Sequence, residues 1–214
     1  MVDIADVPAY DNPFDKSEYE QRLHKLRSQM EAEKLDGLLL TEPSDIYYLS
    51  GYDTQGFWAY QAMVVPADSP PILVCFIEEV LHCEARDLEH AGYAFGGDHV
   101  LLTAKTLEAK GLGGKRIGVD TNSRFLPVSV FQQIEATLST TNLVPIGTMV
   151  EDLRLEKSPA EIVYLREASA ISNTVMGNVY EAMRTGVNDR EIASIMNSDS
   201  IKLGSDYFAM GPFA

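Results

Sequence analysis

The sequence is short of the residues on which several classes of protein depend. Its 214 residues include only two cysteines, Cys75 and Cys83, which do not form a CxxC pair. This argues against a disulfide framework or a cysteine-rich zinc site, and we expect two reduced, buried thiols. Lysines and arginines number 17 against 32 aspartates and glutamates, a formal net charge of −15. Nucleic acids and anionic membranes attract clustered cations, so neither is an expected partner.

Long apolar runs and targeting patterns are also missing. No stretch approaches the roughly 18 apolar residues that a membrane-spanning helix needs. The chain does not open with a basic, then apolar, then small-residue pattern, so we expect no export signal and a cytoplasmic location. Residues 1–16 show no hydrophobic periodicity and are rich in acidic side chains, and we interpret them as a solvated N-terminal segment.

The motifs of common catalytic and metal sites are absent as well. The four histidines form no HxxxH, HxH or HExxH motif, although His82 lies near Glu84 and His99 next to Asp98. No serine lies in a GxSxG elbow. Residues 111–114 are glycine-rich, but a strand is expected after them, so they indicate a turn and not a phosphate cradle. We predict no catalytic residue, no metal ligand and no cofactor in this chain.

The chain does contain an alternation of apolar strands and amphipathic helices. Strands are expected at 38–40, 59–65, 72–77, 99–102, 116–119 and 143–146. Helices are expected from Ser17, where Ser17-x-x-Glu20 matches a capping box, and over 43–51, 78–91, 103–110 and 127–138. Alternating elements with one hairpin predict an α/β fold, with a mixed, largely parallel sheet flanked by helices on both faces.

The sharpest helix start lies at Ser158. A serine N-cap, Pro159 at the first helical position and Glu161 three residues on complete a capping box, and Gly186 is placed to end the helix. Periodicity is lost between Ile146 and Ser158, so we place a domain boundary within 147–158. This gives an α/β domain over 17–150 and a second unit over 151–214. Two helices and a strand start at 207–213 cannot bury their own apolar faces, so we expect a fragment or a truncated form of a longer protein.

One aromatic cluster has no obvious structural role. Six aromatic residues fall between positions 47 and 60: Tyr47, Tyr48, Tyr52, Phe57, Trp58 and Tyr60. In one interpretation they cap the edge of the sheet and pack against neighbouring structure. In the other, residues 52–60 line a binding pocket, where aromatic side chains with a few polar groups are common. The two interpretations are compatible.

From about residue 17 to its end, the chain resembles the creatinase/prolidase/aminopeptidase P family, whose catalytic domain has the "pita-bread" fold. The resemblance rests on the order and spacing of several short motifs. They are Tyr19-x-x-Arg22-Leu23, Leu26-Arg27, Asp36-Gly37-Leu38-Leu39-Leu40, Asp45-Ile46-Tyr47-Tyr48-Leu49-Ser50-Gly51-Tyr52, Asp152-Leu153-Arg154, Lys157-Ser158-Pro159-Ala160-Glu161-Ile162 and Leu165-Arg166.

The resemblance implies that 17–150 is the family's N-terminal α/β domain and that 151–214 begins its pita-bread catalytic domain. It also implies that the catalytic residues, and the ligands for two divalent metal ions (Mn, Co or Zn) in metal-dependent members, lie beyond Ala214. The family's N-terminal domain forms dimer contacts and lends a loop to the neighbouring active site. Phe57, Trp58 and Tyr60 would then be substrate-binding residues. In creatinase an arginine of this loop holds the substrate carboxylate, and Ala59 stands in its place, which argues against creatine as the substrate.

Two functions are compatible with these residues and with the resemblance. The first is the N-terminal portion of a homodimeric hydrolase that cleaves C–N bonds of a small or proline-containing substrate, inactive by itself. The second is a non-catalytic binding or scaffold module with an aminopeptidase-like fold. The presence or absence of two Asp, one His and two Glu at family spacing, further along the gene, would separate them.

Overall fold

The computed structural model describes residues 12–206, and the chain divides into two compact units, residues 1–156 and 157–214. The strands of the first unit are β1 (Gly37–Leu40), β2 (Ala62–Pro66), β3 (Ile72–Phe76), β4 (Glu89–Tyr93), β5 (Arg116–Val119) and β6 (Asn142–Pro145). Its α-helices are α1 (Lys16–Ala32), α2 (Pro43–Ser50), α3 (Val80–Glu84), α4 (His99–Ala109), α5 (Val128–Thr137) and α6 (Met149–Leu155).

The six strands form one mixed sheet in the order β4-β3-β2-β1-β5-β6. Strand β1 pairs antiparallel with β2 and parallel with β5, so that Leu39 lies opposite both Val64 and Val119. Strands β2 and β3 form the antiparallel hairpin, and the outer pairs β3–β4 and β5–β6 are parallel. The predicted α/β class, with a mixed and largely parallel sheet between helices, is confirmed.

Strand β1 divides its side chains between two cores, because successive residues of a strand point to opposite faces. Leu38 and Leu40 pack with α1, α2 and α6, whereas Leu39 packs with α4 and α5. All three leucines are fully buried, each burial contributing about 1.5–3 kcal/mol relative to exposure. The chain leaves this central strand at its carboxyl end, enters α2, and then forms the loop that carries the predicted substrate-binding residues.

Close packing in this core depends on Gly118 in β5. A Cβ atom at this position would lie 2.3 Å from Ile146 Cγ2 and 2.6 Å from Leu38 Cδ2. Both distances are far shorter than a van der Waals contact, so a larger residue would push β1 away from the segment that follows β6.

The helix predicted over 78–91 is wrong in its length. Helix α3 covers only Val80–Glu84, and Glu89–Tyr93 form the edge strand β4. Between them Asp87 has a φ of 53°, in the left-handed region, which interrupts a right-handed helix. Pairing with β3 then stabilises β4 through backbone hydrogen bonds that the side-chain pattern does not reveal.

Two further local predictions are wrong. Residues 99–102 begin α4 and do not form a strand, because Asp98 caps the helix by accepting a hydrogen bond from Leu101 N at 2.9 Å. Helix α1 begins at Lys16 with Asp15 at its N-cap position, so Ser17 lies inside the helix and cannot cap it. In both cases the helix extends N-terminally past the residue that the sequence favours as its start.

The segment 147–158, interpreted as an irregular connector, contains α6. Val150 of this helix is fully buried in the core shared with α1 and α2. Residues 149–155 are thus packed into the first compact unit, which ends at Glu156.

The second unit is described through α7 (Pro159–Ala182) and α8 (Asp189–Lys202). The predicted capping box is confirmed: Ser158 Oγ accepts from Glu161 N at 3.2 Å, and Glu161 Oε2 accepts from Ser158 N at 2.7 Å. The strand start predicted at 207–213 lies outside the described residues. No helix within residues 12–206 is long and apolar enough to cross a membrane.

Candidate functional site

The three predicted substrate-binding residues lie in the loop between α2 and β2, residues 52–60, which we call the aromatic loop. Phe57 and Trp58 occupy a short 3-10 turn, Gly56–Trp58. Their side chains are outward, with exposed fractions of 46% and 69%. Tyr60 follows two residues later and is half-buried. The loop therefore presents two of the three side chains to solvent and turns the third towards the fold.

Phe57 and Trp58 extend an aromatic surface along the carboxyl-end edge of the sheet. Phe57 makes an edge contact with Phe125, which follows β5, at a centroid distance of 6.1 Å. The ring centroid of Trp58 lies 6.1 Å from that of Phe76, the last residue of β3. Phe76 in turn makes an edge contact with Phe95, beyond β4, at 5.2 Å. Phe95 is 85% exposed, so the aromatic surface continues past the loop. In α/β proteins ligands commonly bind outside this edge.

Tyr60 is held inside the fold by its backbone, hydroxyl and ring. Tyr93 Oη donates to the Tyr60 carbonyl at 2.7 Å. The Tyr60 hydroxyl lies 3.2 Å from Thr103 Oγ1, and its ring packs against His99 at 4.6 Å. Burial raises the pKa of Tyr60 to about 12, so the hydroxyl stays neutral. Within this chain Tyr60 anchors the C-terminal end of the aromatic loop.

The middle of the loop is held by Glu79, which precedes α3. Glu79 Oε2 accepts hydrogen bonds from Tyr52 Oη at 3.1 Å and from Thr54 Oγ1 at 2.5 Å. Thr54 Oγ1 in turn accepts from Gly56 N at 2.7 Å, at the start of the 3-10 turn. His82 Nδ1 lies 3.1 Å from the same carboxylate oxygen.

The ionisation states favour this network. Burial, followed by the neighbouring Glu79 carboxylate, raises the pKa of Tyr52 well above its usual range. The Tyr52 hydroxyl therefore keeps its proton and remains a hydrogen-bond donor. Beneath it, Cys75 and Cys83 are free and buried, with Sγ atoms 3.8 Å apart. The hydrogen bond with Cys75, and then burial, raise the pKa of Cys83 strongly, which keeps this thiol protonated and unreactive.

The N-terminal end of the loop is fixed by Gly51. This glycine ends α2 with a φ of 70°, and Arg86 Nε donates to its carbonyl. A Cβ atom there would lie 2.5 Å from the hydroxyl oxygen of Tyr19. The left-handed turn and this close approach both require glycine.

An ion pair joins α2, which leads into the loop, to α6. Asp45 is only 1% exposed, and its Oδ1 accepts from Arg154 Nη1 at 2.6 Å. Burial raises the pKa of Asp45 to about 6, although the bond to Arg154 acts in the opposite direction. Asp120, at the end of β5, also has a raised pKa because it is buried. These carboxylates are buried in the fold and do not lie on the aromatic surface.

No group of three or more His, Cys, Asp or Glu side chains within residues 12–206 is arranged to hold a metal ion. His82 contacts Glu79 and His99 packs against Tyr60, so both have packing roles at the loop. The described residues therefore do not fit a two-metal site.

Sequence reasoning located the loop but missed the residues that hold it. Glu79 is 27 positions from Tyr52 along the chain, and no local pattern links the two. Phe76 ends β3, and Phe95 lies just beyond β4. A position at the end of a strand was the only sequence signal that these two residues belong to the aromatic surface, and for Phe95 it was missing because β4 was not predicted.

Comparison with known proteins gives a consistent result. The family model for the creatinase/prolidase N-terminal domain matches residues 22–155. The chain is 28% identical to an uncharacterized peptidase, YqhT, of Bacillus subtilis, over 86% of this chain and 50% of that protein. It is 27% identical to a creatinase of a Bacillus species, over 84% of this chain and 44% of the relative.

Solved structures agree on the fold. A prolidase from Thermococcus sibiricus superposes with a TM-score of 0.77 at 20% identity, covering 90% of this chain and 52% of that one. The chain thus spans about half the length of these three relatives.

Proposed function

The chain belongs to the creatinase/prolidase N-terminal domain family, and on this premise we propose that it is the N-terminal portion of a hydrolase acting on C–N bonds of a small or proline-containing substrate. Its similarity to a peptidase and a creatinase over most of its length supports a hydrolase. The likeness to a prolidase structure supports a peptidase-like architecture. In this proposal the chain supplies dimer contacts and one wall of the active site and is not catalytic alone.

The observation that carries this role is the outward, anchored position of Phe57 and Trp58. Apolar side chains that face water at a fixed position gain free energy when a partner covers them. The loop is anchored at both ends and at its middle, so these rings are presented in a defined place. We therefore infer that Phe57 and Trp58 face a neighbouring subunit, and that Tyr60 orders the loop from beneath.

The catalytic groups belong, in this proposal, to the part of the protein beyond this chain. The described residues offer no fitting ligand group for two divalent metal ions. Such ions, if Mn, Co or Zn serves the complete protein, would be held by the Asp, His and Glu side chains expected downstream. Reading the gene beyond codon 214 tests this directly, and the absence of those five residues would favour a non-catalytic binding module instead.

Subunit complementation in the complete protein tests the location of the loop. One variant carries Phe57→Ala and Trp58→Ala, and a second lacks one predicted downstream metal ligand. Each should be inactive alone. If the loop serves the neighbouring subunit, mixed dimers contain one complete site, so mixing equal amounts should restore about a quarter of wild-type activity.

If the loop serves its own subunit, mixing restores nothing, because no site then has both an intact loop and intact ligands. Val128→Ala is the matched control, since Val128 is an exposed apolar residue on α5 outside the aromatic surface. It should keep full activity towards an Xaa-Pro dipeptide. Activity of the double loop variant equal to the wild type would refute the proposed role.

A further inference from the structure

The contacts of Glu79 point to a role beyond packing. Its carboxylate accepts hydrogen bonds from the hydroxyls of Tyr52 and Thr54, and the Thr54 hydroxyl oxygen in turn accepts a hydrogen bond from Gly56 N. These partners are alternate residues of one short segment that leads directly into the turn carrying Phe57 and Trp58. The Glu79 side chain is only 16% exposed, so water does not replace these bonds easily.

Gly56 adds an independent steric observation. A Cβ atom at this position would lie 2.2 Å from Glu79 Oε1, which places the second carboxylate oxygen directly against the backbone of the 3-10 turn. One oxygen therefore binds the loop through hydroxyls, while the other contacts the first residue of the turn. A charged acceptor makes hydrogen bonds roughly twice as strong as a neutral one, which suits a single side chain that fixes a loop.

We infer that Glu79 is a positioning residue that holds the aromatic loop and so determines where Phe57 and Trp58 lie. Its effect on the loop stands independently of the proposed function, whereas its effect on catalysis rests on that function. The neighbouring Glu78 is exposed and offers a matched control of the same charge and nearly the same sequence position.

The first experiment measures the loop in the 214-residue chain itself. Amide hydrogen exchange at Gly56 reports the bond to Thr54, and time-resolved anisotropy of Trp58, the single tryptophan, reports motion of the turn. Glu79→Ala should speed Gly56 exchange at least about tenfold and lower the Trp58 anisotropy, since the hydroxyl of Thr54 loses its acceptor. Glu79→Gln should restore part of both signals because it keeps one acceptor oxygen. Glu78→Ala should change neither.

Thr54→Val provides a second route to the same result if Glu79→Ala folds poorly. It removes the hydroxyl that links the carboxylate to Gly56 while keeping the shape of the side chain. In the double variant that combines Thr54→Val with Glu79→Gln, the Gly56 amide should exchange no faster than in Thr54→Val alone. Both substitutions interrupt the same chain of hydrogen bonds from Glu79 through Thr54 to Gly56. Unchanged Gly56 exchange in the folded Glu79 variants, or an equal rise in Glu78→Ala, would overturn the inference.

Activity of the complete protein then separates this inference from the proposed function. Glu79→Ala should lower kcat/KM for an Xaa-Pro dipeptide by about tenfold, measured at a temperature at which the variant is folded, and Glu79→Gln should recover part of the loss, as expected when a misplaced contact weakens transition-state positioning. Faster Gly56 exchange with unaltered kcat/KM would leave Glu79 as the positioning residue and count against the role of the loop in the active site.

Discussion

Burial of Asp45 makes a specific prediction about stability and pH. Its pKa is raised from 3.8 to about 6, mainly by desolvation, despite the bond to Arg154. One pKa unit corresponds to about 1.4 kcal/mol, so ionisation of this carboxyl disfavours the folded state by about 3 kcal/mol. Asp45 is almost inaccessible to solvent, so no large screening correction applies.

The direction follows from the protonation of the two states. Below about pH 3 the carboxyl is protonated in both states, and its contribution to stability is fully present. As the pH rises, the unfolded chain releases the proton first, so this contribution decreases and is lost above about pH 6. The free energy of unfolding of the wild type, minus that of Asp45→Asn, should therefore fall by about 3 kcal/mol between pH 3 and pH 7.

Urea unfolding at several pH values measures this difference, and the subtraction removes the contributions of the other carboxylates. Glu135→Gln, an exposed acid on α5, is the control and should give a nearly constant difference. A difference that rises with pH for Asp45→Asn would mean that the ion pair with Arg154 outweighs desolvation, and it would refute the reasoning.

Further predictions concern both units. Ser158→Ala should lower the urea stability of the second unit by about 1 kcal/mol and leave the first unchanged; no change in either transition would contradict the capping role. Gly118→Ala should cost about 1–3 kcal/mol through its clash with Ile146, whereas Gly113→Ala, whose Cβ would meet nothing closer than 3.6 Å, should be nearly neutral. The 214-residue chain alone should not hydrolyse a Gly-Pro dipeptide with or without Mn²⁺, Co²⁺ or Zn²⁺, and metal-dependent turnover by pure protein would disprove this. Trp58 should be quenched by iodide in this chain and protected in the proposed dimer of the complete protein, and equal quenching in both would count against a subunit-facing loop.

Local signals explain which parts of the fold could be predicted. The Ser158 capping box, the αL glycine at position 51 and the hairpin between β2 and β3 each depend on residues close together in the chain. Such interactions depend mainly on neighbouring residues, so the sequence pattern predicts them more often than it predicts non-local contacts; Ser17-x-x-Glu20, which matches a capping box and does not cap α1, is the exception here. The buried run at Leu38–Leu40 was equally clear, because a strand covered on both faces is continuously apolar.

Non-local pairing explains the failures. Strand β4 alternates poorly between apolar and polar residues, and its backbone is stabilised by β3, on which it depends for register. The run from His99 to Leu102 is too short to distinguish a strand from a helix by periodicity, and the Asp98 cap decides the outcome. The same limit applies to the site: aromatic density indicated the loop, whereas Glu79 reaches it only through the folded chain.

The side chains of the aromatic loop divide into an inward group and an outward group. Tyr52 and Tyr60 pack inward and bond to Glu79 and Thr103, which is what closure of the sheet edge requires. Trp58 does the opposite, since 69% of its side chain stays in water. Covering that surface would contribute about 3 kcal/mol at the usual value per unit of apolar area. A loop that served only as a connector would gain this energy by turning the indole inward, yet the hydrogen bonds through Thr54 hold the loop in an arrangement that leaves the indole exposed. The free energy of burying Trp58 is therefore not gained in the isolated chain, and a partner surface that covers the indole would gain it on binding.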